Sequence, residues 1–417
     1  MSAVEKPSNS GFALQGIRVL DFTWIHAGPS ATRILADQGA EVIKVESNNA
    51  LAVVGGPSSA TARGLGQRHN WNAGKRSISL DMKTPQGVAI AKRLVAVSDV
   101  VAENFSGRVM TGWGMDYESI RRVKPDLVML SMSGFGRTGP WKDRVSYGQT
   151  LQAWSGFTEL TGFPNTDPCG PASAYSDAVG GMAGAQAVLL ALIHRARTGQ
   201  GQWIDLSQFE VLSSLLDTLV LDLSANGADS HNQRTGNRPP HASVAPHGAY
   251  RCQGDDRWVA ISVLTENEWE SLTGAMGHPP WAQDERFATA SGRSHHSEEL
   301  DALLETWTME HSAEGVMHLL QDAGIPAGVV QTGADLAEND PHLKERGFFR
   351  QILDGQGISR TIEGAPYKLS RTPGGPSRGA PEFGADQTYV LREILGMSDE
   401  ELADCAIAGV FEGGLIS

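Results

Sequence analysis

Asp177 is an acidic residue that stands just before a run of glycines, alanines and aliphatic residues, in the stretch SAYSDAVGGMAGAQAVLLALIHRARTGQGQ. It precedes Gly180, Gly181 and Gly184, whose lack of side chains leaves the space that a large ligand would need. We predict that Asp177 is a helix N-cap, where free backbone N–H groups and the helix dipole keep a carboxylate ionised. An accessible, ionised carboxylate is a candidate nucleophile, and a helix cap without a catalytic role is the simpler alternative.

A second pattern, Gly134, Gly136 and Gly139 in GFGRTGP, follows a predicted strand, as a dinucleotide-binding fingerprint does. Pro140 comes next and no helix pattern begins at the third glycine, so the segment does not predict NAD binding. A glycine loop at the carboxyl end of a strand is still a place where open α/β sheets bind ligands. The chain has no phosphate-loop, GxSxG or HExxH pattern, and we predict no metal site.

The elements around these residues predict an α/β fold with a parallel sheet. A strand, GIRVLDFTW, a helix, AGPSATRILADQG, and a second strand, AEVIKVES, form a β-α-β unit. The next helix, KTPQGVAIAKRLVAVSD, has Thr84 as its predicted N-cap and Pro85 at its first position. Three more predicted strands lie in SDVVAENF, DLVMLSMSGFG and QWIDLS.

Composition excludes several classes of function. The net charge of −14, from 34 basic and 48 acidic residues, argues against nonspecific nucleic-acid binding. The apolar run Ala187–Ile193 is far shorter than the roughly 20 residues that span a bilayer, so we expect no membrane partner. The polar start of the sequence predicts a cytoplasmic protein. Three widely spaced cysteines, Cys169, Cys252 and Cys405, predict free thiols.

Several blocks of sequence, in order along nearly the whole chain, resemble the family III CoA-transferases, the group of the formyl-CoA, carnitine and benzylsuccinate CoA-transferases. The blocks are GIRVLDFTWIHAGPSATRILADQGAEVIKVE, GKRSISLDMKTPQG, VVAENFSGRVM, SMSGFGRTGPW, YSDAVGG with TGQGQWIDLS, GIPAGVV, DPHLKERGFF and GAPYKLSRTPG. This ordered series is far more specific than the single glycine pattern.

The resemblance implies a covalent mechanism in which Asp177 is the nucleophile. Its carboxylate attacks an acyl-CoA thioester to give a mixed anhydride, and the released CoA thiolate then attacks the aspartyl carbonyl. The acceptor acid attacks the resulting enzyme–CoA thioester, and the steps run in reverse to release a new acyl-CoA. Covalent catalysis thus divides one difficult exchange into easier ones. The implied reaction uses CoA and acyl-CoA as substrates, with no tightly bound cofactor, ATP or metal.

The resemblance also implies a set of CoA contacts at matching positions: Ile25, His26, Leu80, Lys83, Asn104 and Phe105. The formyl-CoA enzyme has glutamine in place of His26, and it has basic residues in place of Ser47 and Gly112. Other groups must then bind the CoA phosphates, and the candidates are three basic residues: Arg108, Arg137 and Lys142.

Four residues are expected to line an acyl pocket: Trp24, Tyr147, Trp154 and His241. Tyr147 is also expected to contact bound CoA. These residues and the 10 tryptophans of the chain favour a bulky or aromatic acid, such as a substituted succinate, with succinyl-CoA as the donor.

The fold that the resemblance implies is a Rossmann-like large domain made from both chain ends, with a smaller α+β domain inserted and two subunits interlocked as a dimer. A change of composition near Leu206 fits this layout. We therefore predict a large domain over 1–205 and 336–417, a helical linker over 206–230 and a small domain over 231–335. The partner chain is either a second copy or a related subunit.

Two alternative functions stay open. An α-methylacyl-CoA racemase shares the fold, but it uses a histidine as an acid–base group where this chain has Tyr147, and tyrosine is a poor base at neutral pH. The second alternative is that the chain is one subunit of a heteromeric CoA-transferase. A non-catalytic subunit would not need its nucleophile, and Asp177 is present.

Overall fold

The computed structural model describes residues 11–48, 62–227, 234–239 and 244–412. They fall into two compact units, the first from the described residues up to Thr158, from Gly170 to 227 and from His342 onwards, and the second from Glu159–Cys169 and the described residues from 234 to Pro341. The segment 159–169 groups with the second unit, although no change of composition marks it in the sequence.

A six-stranded parallel sheet forms the centre of the first unit, with the strand order β3-β2-β1-β4-β5-β6. Its strands are β1 (Arg18–Asp21), β2 (Glu41–Glu46), β3 (Arg76–Ser79), β4 (Val100–Glu103), β5 (Val128–Ser133) and β6 (Trp203–Ser207). The predicted parallel α/β sheet is confirmed, and β3 is a strand that the sequence analysis did not predict. The order of connection reverses between β1 and β4, and open α/β sheets bind ligands in the crevice at such a point.

Helices cover both faces of this sheet. Up to residue 226 they are α1 (Ala27–Asp37), α2 (Ala62–Asn72), α3 (Pro85–Ala96), α4 (Val109–Gly112), α5 (Tyr117–Ile120), α6 (Gly148–Trp154), α7 (Phe157–Leu160), α8 (Tyr175–Thr198), α9 (Gln208–Ser214) and α10 (Asp217–Asn226). Alternate residues of β1 point to opposite faces: Val19 joins a core with α1 and α8, and Leu20 joins a core with α3. The predicted start of α3 is confirmed, because the Thr84 hydroxyl accepts a hydrogen bond from the Gly87 N–H.

The long helix α8 is, by length and composition alone, apolar enough to cross a membrane. One face of this helix packs in the core, where Ala185, Val188 and Ala191 are buried with α1 and β5. Within the described ranges, no other helix meets the same length and composition test.

The second unit has a three-stranded antiparallel sheet in the order β7-β8-β9. Its elements are β7 (His247–Arg251), β8 (Trp258–Ser262), α11 (Glu266–Ala275), short 3-10 helices at Pro280–Gln283 and Glu285–Phe287, α12 (Ala290–His295), α13 (Ser297–Thr308), α14 (Ala313–Asp322), β9 (Ala327–Val329) and a π-helical segment, Asp335–Asn339. The hairpin predicted to turn at 254–256 and the strand predicted in GIPAGVV are confirmed.

The C-terminal part returns to the first unit. Its elements are α15 (Pro341–Arg346), the antiparallel hairpin β10 (Phe349–Leu353) with β11 (Ser359–Glu363), a π-helical segment, Tyr389–Ile394, and α16 (Asp399–Ile407). The side chains of Asp386 and Gln387 accept hydrogen bonds from the backbone N–H groups of Ser77 and Ser79. These contacts satisfy the open edge of β3, which would otherwise expose unpaired donors. Cys169, Cys252 and Cys405 all lie in the described ranges and form no disulfide, as predicted.

Candidate active site

A buried charge network fixes the loop that follows β1. The Asp21 carboxylate accepts hydrogen bonds from Thr23 and from the Thr32 hydroxyl, and it lies 3.1 Å from Lys75 Nζ. Both charged side chains are fully buried. Burial lowers the pKa of Lys75 to about 7, against the attraction of Asp21, and the ammonium also donates to Pro29 O and to the Asn72 side chain. Because every partner is a fixed group, the network ties β1, α1 and α2 together.

The turn after β1 has an unusual backbone conformation at Ile25. Its φ of 66° lies in the left-handed region, which is unfavourable for a β-branched residue and persists only where neighbours hold it. Asn104 is one such neighbour: its side chain accepts from Trp24 N and donates to Trp24 O, both at 2.9 Å. Lys44 Nζ donates to Thr23 O at 2.6 Å. The turn therefore presents His26, the N-cap residue of α1, in a fixed position.

The structure brings His26 and Asp177 together. His26 Nδ1 lies 3.7 Å from Asp177 Oδ2, and the two side chains are 19% and 14% exposed. The imidazole stacks on the Trp71 ring, with 4.0 Å between centroids and 16° between planes. Burial lowers the pKa of His26 to about 4, so its ring is neutral at neutral pH.

Asp177 lies in the first turn of α8, but the prediction that it is the N-cap is wrong. The N-cap is Ala174, and the first N–H of the helix, from Tyr175, donates to the Gln152 side chain. Among the described residues, none donates a hydrogen bond to the Asp177 carboxylate, and burial raises its pKa to about 6. The helix dipole favours an ionised acid by about 0.3–1 kcal/mol, whereas this rise corresponds to about 3 kcal/mol, so desolvation dominates.

The sequence analysis predicted that the glycines after Asp177 leave space for a ligand. This prediction is wrong, because these glycines allow helices to pack closely together. A Cβ on Gly181 would lie 2.8 Å from Ser30 Cβ and 3.0 Å from Ala27 O of α1. A Cβ on Gly184 would meet the end of the Met132 side chain on β5 and would lie 3.3 Å from Ala31 Cβ of α1. Gly148 is the glycine next to the carboxylate, since a Cβ there would lie 3.0 Å from Asp177 Oδ2.

A cavity of about 790 Å³ opens at the carboxyl ends of the strands, where the strand order reverses. It is lined by four of the residues that the resemblance implied as CoA contacts, Ile25, Leu80, Lys83 and Phe105, and by Tyr147, which was also expected to contact CoA. Trp24 and Trp113 flank Phe105 at 6.2 and 5.4 Å between ring centroids and give the cavity an aromatic wall. Trp71 also lines the cavity and stacks on His26, whereas His26, expected as a CoA contact, and Asp177 do not themselves line it.

The basic residues expected to bind phosphates are not at this cavity. Arg137 pairs with Glu103 at 2.6 Å and lines, with Lys142, a separate cavity of about 320 Å³. Arg108 is exposed and lines neither cavity. The basic side chains that do line the large cavity are those of Lys44, Arg68 and Lys83. The Lys44 ammonium is engaged by Thr23 O, as described above, and Lys83 is exposed.

Arg68 is therefore a site residue that the sequence analysis missed. Its Nη2 lies 3.7 Å from Glu46 Oε1 and 3.3 Å from Pro381 O, and its side chain is 23% exposed. Arg68 and Trp71 belong to α2, a helix with two glycines and no apolar periodicity, which therefore gave no helical signal.

The residues expected around the acyl group are placed differently from one another. Trp24 and Tyr147 line the large cavity. Trp154 instead packs against Phe135 and Trp141, at 5.5 and 4.8 Å between ring centroids, and does not line it. His241 lies outside the described residues. Asn104, expected as a CoA contact, uses both polar atoms of its side chain to hold Trp24.

Comparison with known proteins identifies one family. The sequence profile described as CoA-transferase family III matches residues 14–387. The succinyl-CoA–D-citramalate CoA-transferase of Chloroflexus aurantiacus is 33% identical over 400 residues, which cover 94% of this chain and 96% of that protein. The succinyl-CoA–L-malate CoA-transferase beta subunit of the same organism is 33% identical over 402 residues, with 94% and 96% covered. The crystal structure of a CAIB/BAIF family protein from Brucella suis matches with a TM-score of 0.83 at 32% identity, covering 92% of this chain and 100% of that one.

Proposed function

This chain belongs to CoA-transferase family III and is a CoA-transferase, and we propose that it transfers CoA through covalent intermediates on Asp177. One observation carries the proposal: a largely buried carboxylate that receives no hydrogen bond from the described residues lies 3.7 Å from His26, whose ring stacks on Trp71 in the wall of a cavity large enough for part of a CoA molecule. A carboxylate without donors keeps its electron pairs available for attack on a carbonyl.

The charges of the reactants suit this site. Asp177, the CoA thiolate and the donor and acceptor acids are all anions when they attack or leave, so the exchange requires no net proton transfer. A pKa of about 6 leaves Asp177 about nine-tenths ionised near pH 7 and makes it more basic than an ordinary carboxylate. Burial therefore leaves a carboxylate that is weakly solvated and yet still mostly ionised near pH 7.

We place CoA in the large cavity, with its thioester end towards Asp177. The aromatic wall around Phe105 suits the adenine or pantetheine part. Lys83 and Arg68 are the cations at this cavity that suit the CoA phosphates, Lys83 as an exposed point charge and Arg68 as a planar donor. In this proposal Arg68 does the work that the sequence analysis expected of Arg108, Arg137 or Lys142.

The proposed donor is succinyl-CoA, and the proposed acceptor is a substituted succinate. Two relatives at 33% identity are named for succinyl-CoA and for D-citramalate or L-malate, both of them succinates with added groups. The aromatic side chains of Trp24 and Tyr147 line the cavity and suit an acceptor with an apolar substituent. A panel of D-citramalate, L-malate, benzylsuccinate and acetate tests this choice, because a preference for acetate would contradict it.

Trapping of the intermediate tests the mechanism. Wild-type enzyme given succinyl-CoA without an acceptor should react with hydroxylamine to form a hydroxamate at Asp177, detected by mass on the peptide that contains it. Asp177→Asn and Asp177→Ala should show neither the label nor turnover. If product forms in a single turnover while the peptide stays unmodified, Asp177 is not the nucleophile. Solvent deuterium at the α-carbon of a 2-methylacyl-CoA, at catalytic rates, would instead indicate the racemase.

The surface of the first unit supports a further part of the proposal, that the chain works with a second chain. Large apolar side chains are exposed on α8 and α10: Met182, Leu190, Ile193, Val220 and Leu221. A group of this kind favours a protein interface. We propose a dimer of two copies or of this chain with a related subunit. Sedimentation and activity of the chain expressed alone separate these two cases.

A further inference from the structure

We propose that His26 is a catalytic residue that donates a hydrogen bond from Nδ1 to the side-chain carbonyl oxygen of Asp177 when that carbonyl is attacked. The inference rests on the proposed function, because it assigns a role towards an acylated Asp177. It differs from the expectation, drawn from resemblance, that His26 contacts CoA.

The geometry supports this role. The 3.7 Å between His26 Nδ1 and Asp177 Oδ2 is longer than a hydrogen bond, and an approach of less than about 1 Å would form one. The Trp71 ring, stacked at 4.0 Å, fixes the plane of the imidazole. The turn at Ile25, held by the two hydrogen bonds from Asn104, fixes the backbone of His26. A donor fixed in this way loses little entropy when the reaction begins.

The chemistry calls for a neutral donor rather than an acid or a base. The attacking and leaving groups at the Asp177 carbonyl are thiolates and carboxylates, so there is no proton for a base to remove. A cationic imidazole would pair with the resting carboxylate and weaken it as a nucleophile. Burial keeps the ring neutral, since it lowers the pKa of His26 to about 4. A neutral imidazole still carries one N–H, which the proposal puts on Nδ1.

Charge develops on the Asp177 oxygen in two of the steps. In the first of these, the CoA sulfur bonds to the side-chain carbonyl carbon of the anhydride, and the C=O electron pair moves onto the oxygen near His26. The pair then returns, the bond to the donor acid breaks, and that acid leaves as a carboxylate. The acceptor carboxylate later adds in the same way and expels the thiolate. The Nδ1 proton stays on His26 throughout, as in an oxyanion hole.

The initial attack is different, because its negative charge develops on the carbonyl oxygen of the substrate. Loss of the His26 donor should therefore slow the anhydride-to-thioester step more than the formation of the anhydride. This selectivity separates a donor to Asp177 from a residue that only shapes the site or binds CoA.

Two substitutions at the same position test the donor. His26→Phe keeps a ring that can stack on Trp71 but has no N–H, and His26→Gln keeps an N–H donor on a side chain of different shape. We expect kcat to fall about 10²-fold in His26→Phe, the usual loss for one oxyanion donor, and by much less in His26→Gln. KM for succinyl-CoA should change little in either variant. The matched control is His318→Phe, which changes an exposed histidine on α14 and should leave kcat unaltered.

Rapid quenching of a single turnover with succinyl-CoA alone, followed by mass measurement of the intact chain, tests the affected step. Wild-type enzyme should accumulate the CoA adduct, and His26→Phe should accumulate the succinyl adduct, which also shows that the variant is folded. Wild-type kcat in His26→Phe, or a larger loss in His26→Gln than in His26→Phe, would overturn the inference alone. If wild-type enzyme forms product without any adduct, the covalent mechanism fails and the inference fails with it.

Discussion

Substitution of Asp177 by asparagine should abolish transfer and, at the same time, stabilise the folded protein. The carboxylate is largely buried, with its side chain 14% exposed, and receives no hydrogen bond from the described residues, and its pKa is raised from 3.8 to about 6. A rise of this size means that the ionised acid destabilises the folded state by about 3 kcal/mol relative to the neutral acid. Asparagine has nearly the same shape and no charge, so it should remove this unfavourable term.

The gain should depend on pH in a defined direction. An acid whose pKa is raised by folding stabilises the folded state below its unfolded pKa, and this contribution is lost as pH rises through the folded pKa. The wild-type protein should therefore lose stability, relative to Asp177→Asn, between pH 3.8 and about pH 6. The advantage of the variant should be about 3 kcal/mol near pH 7, about 1.5 kcal/mol near pH 5 and below about 1 kcal/mol near pH 4.

Urea unfolding of both proteins at these three pH values measures the difference in the free energy of unfolding. The exposed acid Asp404, on α16, provides the control, because Asp404→Asn removes one charge without removing a buried one. A gain for Asp177→Asn that is absent, or that is the same at all three pH values, would refute the conclusion that this carboxylate is destabilised by burial.

Three further outcomes are expected. The acid limb of the pH profile of kcat/KM should lie near pH 6 rather than near 3.8, because transfer needs ionised Asp177; a limb near 4 in steady-state rates would contradict this. Arg68→Ala should raise KM for succinyl-CoA about tenfold with little change in kcat. The control Arg121→Ala removes an exposed arginine that does not line the cavity, so it should leave KM unaltered. Lys75→Met should lower the free energy of unfolding by about 3–5 kcal/mol, because it leaves the Asp21 carboxylate buried without this lysine. Adding Asp21→Asn to that variant should recover part of the loss, and no recovery would argue against the ion pair as the cause.

The parts of the fold that local sequence determines were predictable. Continuous apolar runs predicted β1, β4 and β5, and the sequence KTPQG predicted the start of α3, because capping by Thr84 involves only neighbouring residues. The hairpin of β7 and β8 was predictable for the same reason, since its turn and its two strands are adjacent in the chain.

The environment of Asp177 depended on distant parts of the chain and was not predictable from its neighbours. Gln152, 23 residues before Tyr175, takes the first N–H of α8, and Gly148 lies against the carboxylate. The prediction of an N-cap used only local signals and therefore gave the wrong position in the helix. It also gave the wrong direction for the pKa, because desolvation depends on what packs around the group.

The cations of the large cavity show the same limit. Arg137 looked suitable from its place in a glycine loop after β5, but Glu103 at the end of β4 already neutralises it. Arg68 reaches the cavity from α2, whose sequence contains no periodic signal. Which of two basic residues faces a cavity depends on how the connections fold back over the sheet, and composition does not contain that information.

The close contact between α1 and α8 has a consequence for how enzymes with this architecture diversify. His26 caps α1 and Asp177 lies in the first turn of α8, and Gly181 and Gly184 bring these two helices together over Ala27 and Ala31. The distance between the two side chains is thus set by the packing of two helices rather than by a loop. Loops around the cavity can therefore change in length and sequence without moving His26 and Asp177 relative to each other. An alanine at Gly181 would instead shift the helix that carries Asp177, because its Cβ would meet Ala27 O and Ser30 Cβ of α1.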